Sequence, residues 1–111
     1  MDIEVRKEGP VTCVAIGFDI DGKTAPDVQA KVLGLVEKNG RLLLDFSKVG
    51  YMSSAGLRVL LTTHRQVTAN QAKLVLVGLS EDLKEVMGAT GFLSFFTIHE
   101  TLAEGLAALA S

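Results

Sequence analysis

Tryptophan is absent from the 111 residues, and one tyrosine and five phenylalanines are the only other aromatics. With so few rings, a base-stacking platform for single-stranded nucleic acid is not expected. Basic residues are equally unconcentrated. Arg41, Arg58 and Arg65 stand apart, and the formal charge is −2. A basic stripe for a phosphate backbone is therefore missing, and nucleic acid is not expected as a partner. The single cysteine, Cys13, has no partner for an internal disulfide. It sits within the apolar stretch from Val11 to Gly17 and reads as a buried, reduced thiol acting as a small hydrophobe. No apolar run approaches the length of a membrane span. The start Met1-Asp2-Ile3-Glu4 has neither the charged nor the apolar region of a signal peptide, so the cytoplasm is the expected compartment.

The residues that are present describe one ordinary globular unit. The hydrophobic share is 48% and the charged share 22%. That balance, at this length, fits a single domain over 1–111 that can fold without disulfides or metals. Ile3 and Val5 alternate with charged residues, and Gly9-Pro10 marks a turn before a buried strand from Val11 to Ile16. A loop rich in glycine and aspartate comes next. Thr24 is a candidate cap, with Pro26 and Asp27 in the first turn of a helix. Val28, Val32, Leu35 and Val36 form its apolar face, and Asn39-Gly40 is expected to end it. Arg41 to Phe46 holds three successive leucines, a strand covered on both faces.

A second helix begins near Ser53 or Ser54 and carries Leu57, Leu60, Leu61 and His64 inward, with Arg58 and Arg65 outward. Lys73 to Val77 is a further buried strand. Ser80 caps a third helix with Leu83, Val86 and Met87, ended by Gly91. A short strand spans Phe95 to Ile98. Thr101-Leu102-Ala103-Glu104 is a capping box that opens a final helix. The order β-β-α-β-α-β-α-β-α predicts an α/β fold, one mixed sheet with a parallel centre.

In such sheets ligands gather where strands give way to helices. That places the Asp19–Thr24 loop, the Ser53-Ser54 helix start and the Leu79-Ser80 turn on one rim. Catalytic readings of these residues fail. A triad of Ser54, His64 and Asp21 needs a histidine near the serine, and His64 lies more than two turns away on the inward face. A nucleophile elbow needs glycine two residues before the serine, and Met52 stands there. Two histidines and one cysteine, widely spaced, make no metal set. Asp19 and Asp21 read as solvated loop residues rather than cation ligands, and the phosphate-binding Gly-Lys-Ser/Thr loop is missing. No cofactor is expected. Ser53-Ser54-Ala55-Gly56 remains. One serine can simply cap the helix; alternatively, a serine here can carry a regulatory phosphate. A helix amino terminus suits an anion, and Arg58 lies one turn beyond Ser54.

The segment from Asp45 to Leu61 resembles the STAS domain of bacterial anti-sigma factor antagonists. It is similar to the family's strand ending in aspartate, followed by valine, an aromatic, an aliphatic and Asp-Ser-Ser/Thr-Gly-Leu. Ile20-Asp21-Gly22-Lys23-Thr24-Ala25 resembles the family's Leu/Ile-Asp, two variable residues and Thr-Ala. The Leu83–Phe92 stretch matches its third helix. The resemblance implies a regulatory binding protein and not an enzyme. Its expected partners are an anti-sigma factor that is also a serine kinase, and a PP2C-type phosphatase that reverses the phosphorylation. The implied acceptor is Ser54, with Ser53 as second candidate. Asp21, Thr24, Ser53, Ser54, Gly56 and Arg58 are expected in or beside the contact surface. Three positions depart from the family: Ser53 replaces the motif aspartate, Ala55 replaces the second hydroxyl residue, and Arg58 stands where a small residue is common. The alternative is a STAS module that is never phosphorylated and serves a lipid-transport or sensory assembly.

Overall fold

A computed structural model of the chain describes residues 2–110. Among these described residues five strands form one sheet in the order β1-β2-β3-β4-β5. They are β1 (Ile3–Glu8), β2 (Val11–Ile16), β3 (Arg41–Asp45), β4 (Lys73–Val77) and β5 (Thr97–His99). β1 and β2 are an antiparallel hairpin, and every later pairing is parallel. The hairpin turn is Gly9-Pro10, with Gly9 at φ 60°. Glycine first and proline second suits a type II′ turn, since proline cannot adopt a positive φ.

The described residues also form four α-helices: α1 (Ala25–Leu33), α2 (Ser54–Ala69), α3 (Glu81–Ala89) and α4 (Leu102–Ala110). Each parallel step moves to the next strand in the same direction. Right-handed crossovers then put α1, α2 and α3 on one face. Strand alternation sorts the core accordingly. Val14, Ile16, Leu42, Leu44 and Leu76 pack with Val28 and Val32 of α1, Leu57 and Leu60 of α2, and Leu83 and Met87 of α3. On the other face Val11, Cys13, Leu43, Val75 and Val77 pack with Leu109 of α4. A side chain at Gly105 would come within 2.5 Å of Val77 and 2.8 Å of Leu43, so glycine is what lets α4 lie this close to the sheet.

The structure departs from the expected elements at four places. α1 stops at Leu33, capped by Gly34, rather than at Asn39-Gly40. Gly34 is a poor helix interior residue, and i→i+3 bonds from Leu35 to Val32 and from Val36 to Leu33 tighten the chain after it. Leu35 and Val36 still reach the core. Thr24 stands before α1, but its side chain makes no capping bond. The inward face of α2 is turned slightly: Val59 and Thr63 are buried, while Leu61 and His64 are only half-buried. Finally, Phe95 belongs to a 3-10 turn, Leu93–Phe95, and the last strand begins at Thr97. The capping box is present, with the Glu104 carboxylate accepting from the Thr101 N–H at 3.1 Å and Thr101 Oγ1 accepting from the Glu104 N–H at 3.1 Å.

Candidate functional site

Two of the three rim segments are tied together by main chain. The Ile20 N–H donates to the Tyr51 carbonyl at 3.0 Å, and the Ser53 N–H donates to the Ile20 carbonyl at 2.9 Å. This isolated parallel bridge, Ile20 to Met52, carries the sheet pattern beyond the ends of β2 and β3. The chain leading into the Leu79-Ser80 turn lies against the start of the β3–α2 connection, where the Phe46 N–H donates to the Val77 carbonyl at 2.9 Å. A side chain at Gly78, beside it, would come within 2.9 Å of the Ser47 nitrogen and 3.1 Å of the Asp45 carboxylate.

Asp19 is not the free loop residue its neighbours suggest. One carboxylate oxygen accepts from both the Gly50 and the Tyr51 N–H groups, each at 3.1 Å. The side chain thus fastens the first loop to the segment that leads into α2. No periodicity carries such a signal; only the excess of short acceptors in a glycine-containing loop hints at it. Asp21 does a second local task. Its carboxylate accepts from the Lys23 N–H at 2.9 Å and the Thr24 N–H at 3.1 Å. The bonds from Thr24 and Lys23 hold its carboxyl below the ordinary carboxylate range. Thr24 Oγ1 accepts from the Asp21 N–H and donates to the Asp19 carbonyl, both at 2.9 Å. Its hydroxyl is spent inside the loop, which is why it does not cap α1.

The two serines have separate roles. Ser53 is extended, with φ −80° and ψ 179°, and its hydroxyl accepts from the Ala55 N–H at 3.2 Å. It is the cap of α2. Ser54 is the first residue of the helix proper, exposed, with no side-chain hydrogen bond among the described residues. Gly56, two residues on, is buried. A side chain there would meet Met52 Cγ at 2.3 Å and Ile20 Cγ2 at 3.1 Å. Glycine lets the first turn of α2 rest on the Ile20–Met52 bridge, beneath the surface that Ser54 presents. Arg58 is exposed one turn further along, about 6 Å up the helix axis.

Charge is distributed unevenly over the helix starts. α1 has Asp27 in its first turn, α3 has Glu81 and Asp82, and α4 has Glu104. α2 has no acidic residue there. At its partial positive end, roughly half a charge, the Ser53 hydroxyl is the side-chain acceptor. His64 takes no part. It lies ten residues along α2, about 15 Å from Ser54 by helical rise. Its ring packs against Phe95 and Phe96, with centroids 5.8 and 5.6 Å away. It is a boundary residue that fastens the 3-10 turn to α2. Among the described residues no group of three His, Cys, Asp or Glu side chains is placed to hold a metal ion. No helix there is long and apolar enough to cross a membrane.

A STAS domain model matches residues 2–105. The candidate anti-sigma factor antagonist BtrV of Bordetella bronchiseptica is 34% identical over 90 residues, covering 80% of this chain and 78% of that protein. The anti-sigma-B factor antagonist of Bacillus subtilis is 30% identical, covering 88% of this chain and 90% of that protein. The crystal structure of an anti-sigma factor antagonist from Mycobacterium paratuberculosis superposes with a TM-score of 0.88 at 23% identity, covering 99% of this chain and 94% of that one.

Proposed function

The chain belongs to the STAS domain family, with relatives among the anti-sigma factor antagonists, and from that premise we propose that it binds an anti-sigma factor with serine-kinase activity and is released by phosphorylation of Ser54. One observation carries the assignment of the acceptor. Ser54 is exposed at the start of α2 with an unused hydroxyl, while Ser53 is occupied as the cap. A phosphate on Ser54 adds about −1.5 to −2 charges at neutral pH. It meets a helix end whose own first turn carries no carboxylate.

The protein is then a substrate and a ligand, not an enzyme. It works in the cytoplasm, where a PP2C-type phosphatase restores the free hydroxyl. Asp21 and Thr24 contribute by holding the first loop in shape, and Asp19 fastens that loop to the Ser54 segment. Arg58 is the cation nearest along the helix face, able to pair with phosphate or with a carboxylate of the partner.

The rival reading, a STAS module of a lipid-transport or sensory assembly that is never phosphorylated, rests on Ser53. It stands where the family carries an aspartate beside the acceptor. Incubation with the cognate kinase and ATP, followed by mass spectrometry, separates the two. One phosphate is expected on the peptide holding Ser53 and Ser54, lost in Ser54→Ala and kept in Ser53→Ala. Absence of any phosphate on the unmodified sequence selects the rival.

A further inference from the structure

The outer edge of the sheet has a charge pattern that complements itself. β1 is the first strand of the sheet, paired on one side only among the described residues, and every residue from Glu4 to Glu8 is exposed. Val5 stands out, with 38% of its surface exposed. The Gly17 N–H donates to the Asp2 carbonyl at 3.0 Å, and the register pairs Ile3 with Ile16 and Glu8 with Val11. In an antiparallel pair, hydrogen-bonded positions alternate with outward ones. The even residues of β1 therefore bond to β2. The N–H and C=O groups of Ile3, Val5 and Lys7 point away from the sheet.

We propose that this edge pairs with the same edge of a second copy, antiparallel, with Val5 opposite Val5, Glu4 opposite Arg6 and Ile3 opposite Lys7. A two-fold axis perpendicular to the sheet keeps each side chain on its own face, so only registers that match odd with odd and even with even are open. Among these, a shift one way puts Glu4 opposite Glu4. A shift the other way puts Arg6 opposite Arg6 and Glu4 opposite Glu8. A further shift sets Lys7 against Lys7. Directly opposed like charges destabilise a strand pair, and opposite charges support it. The register centred on Val5 alone combines opposite charges, outward backbone groups and contact between the two exposed valines. The ion pair already present within the strand, Arg6 to Glu8 at 3.2 Å, is exposed on both sides and yields readily to the new partner. Glu8 would face Asp2 at either end, a like-charged pair that weakens the association and confines the pairing to residues 3–7.

So short an edge buries well under the roughly 1,200 Å² of a stable interface. The dimer is accordingly weak and concentration-dependent. Its antiparallel geometry points the two Ser54 rims in opposite directions and leaves both free.

Sedimentation velocity on the whole chain, from micromolar to millimolar protein at low salt, tests the pairing. The expected result is a rise in average sedimentation coefficient toward a dimer. Val5→Pro removes an outward N–H without touching the β1–β2 ladder and should hold the chain monomeric. Glu4→Arg should do the same, and Glu4→Arg combined with Arg6→Glu should restore the rise. Circular dichroism identifies which variants are folded, and the charge variants stand alone if Val5→Pro is not. A monomer at every concentration overturns the proposal. So does undiminished association in either folded single variant, or failure of the double exchange to restore it.

Discussion

α2 and α3 begin alike and diverge within their first turn. Each opens with an extended serine whose hydroxyl accepts a main-chain N–H: Ser53 from Ala55 at 3.2 Å, and Ser80 from Leu83 at 3.1 Å. α3 then places Glu81 and Asp82 in its first turn, and Lys84 is tied to Glu81 and Glu100 on its surface. α2 places Ser54, Ala55 and Gly56 there, with no acid. A helix start already neutralised gains little from a further anion; one left positive gains more. α3 carries its own anions at its start, while α2 presents the exposed hydroxyl of Ser54 and no acid in its first turn.

The largest expected effect separates the two faces of α2. Leu60 is 2% exposed and packs in the main core, whereas Arg58 is exposed. Leu60→Ala should cost about 2–5 kcal/mol. Arg58→Ala should fall within about 0.5 kcal/mol of the unmodified protein. Urea unfolding of both variants checks this, and equal losses would refute the helix orientation.

Glycine substitutions sharpen the contrast between the helices. Gly56 has no room for a side chain, while the nearest atom to one at Gly88 in α3 is Leu93 Cδ2 at 3.9 Å. Gly56→Ala should destabilise by about 1–3 kcal/mol through overpacking. Gly88→Ala should be neutral or stabilise by about 0.4–1 kcal/mol, since it restricts the unfolded chain. Thermal unfolding of the pair would break the comparison if both moved the same way.

A smaller effect divides the neighbouring serines. Loss of the Ser53 cap in Ser53→Ala should cost about 0.5–2 kcal/mol. Ser54→Ala, which removes no hydrogen bond, should be close to silent. Ser54→Asp should stabilise α2 by about 0.3–1 kcal/mol. Denaturant titrations of the three variants order them, and a Ser54→Ala as costly as Ser53→Ala would reassign the cap.

Much of this is legible in the sequence because it rests on periodicity and local chemistry. The triple leucine of β3 announces a strand buried on both faces, and the Thr101–Glu104 capping box of α4 forms as its spacing predicts. The start of α2 is legible to within one residue, since serine, small residues and an apolar period coincide there. The features that stay hidden depend on distant contacts. The two bonds from Asp19 to Gly50 and Tyr51 span more than thirty residues. The inward hydroxyl of Thr24 comes from a loop conformation that composition does not encode. Gly56 reads as part of a contact surface, yet its burial comes from the Ile20–Met52 bridge, which forms only when two loops meet. α1 is shorter than its apolar pattern because Gly34 interrupts a period that continues past the helix as tightened turns.

The central claim is that Ser54 is the position where added charge ends partner binding without disturbing the fold. A calorimetric titration of the unmodified protein and of Ser54→Asp against the cognate anti-sigma kinase, at one fixed salt concentration, tests it directly. An uncompensated charge buried at the interface costs about 2–5 kcal/mol, or roughly 30- to several-thousand-fold in affinity. That loss is expected for Ser54→Asp, with melting unchanged or slightly raised and with Ser54→Ala still binding. A folded Ser54→Asp that binds as tightly as the unmodified protein would contradict it.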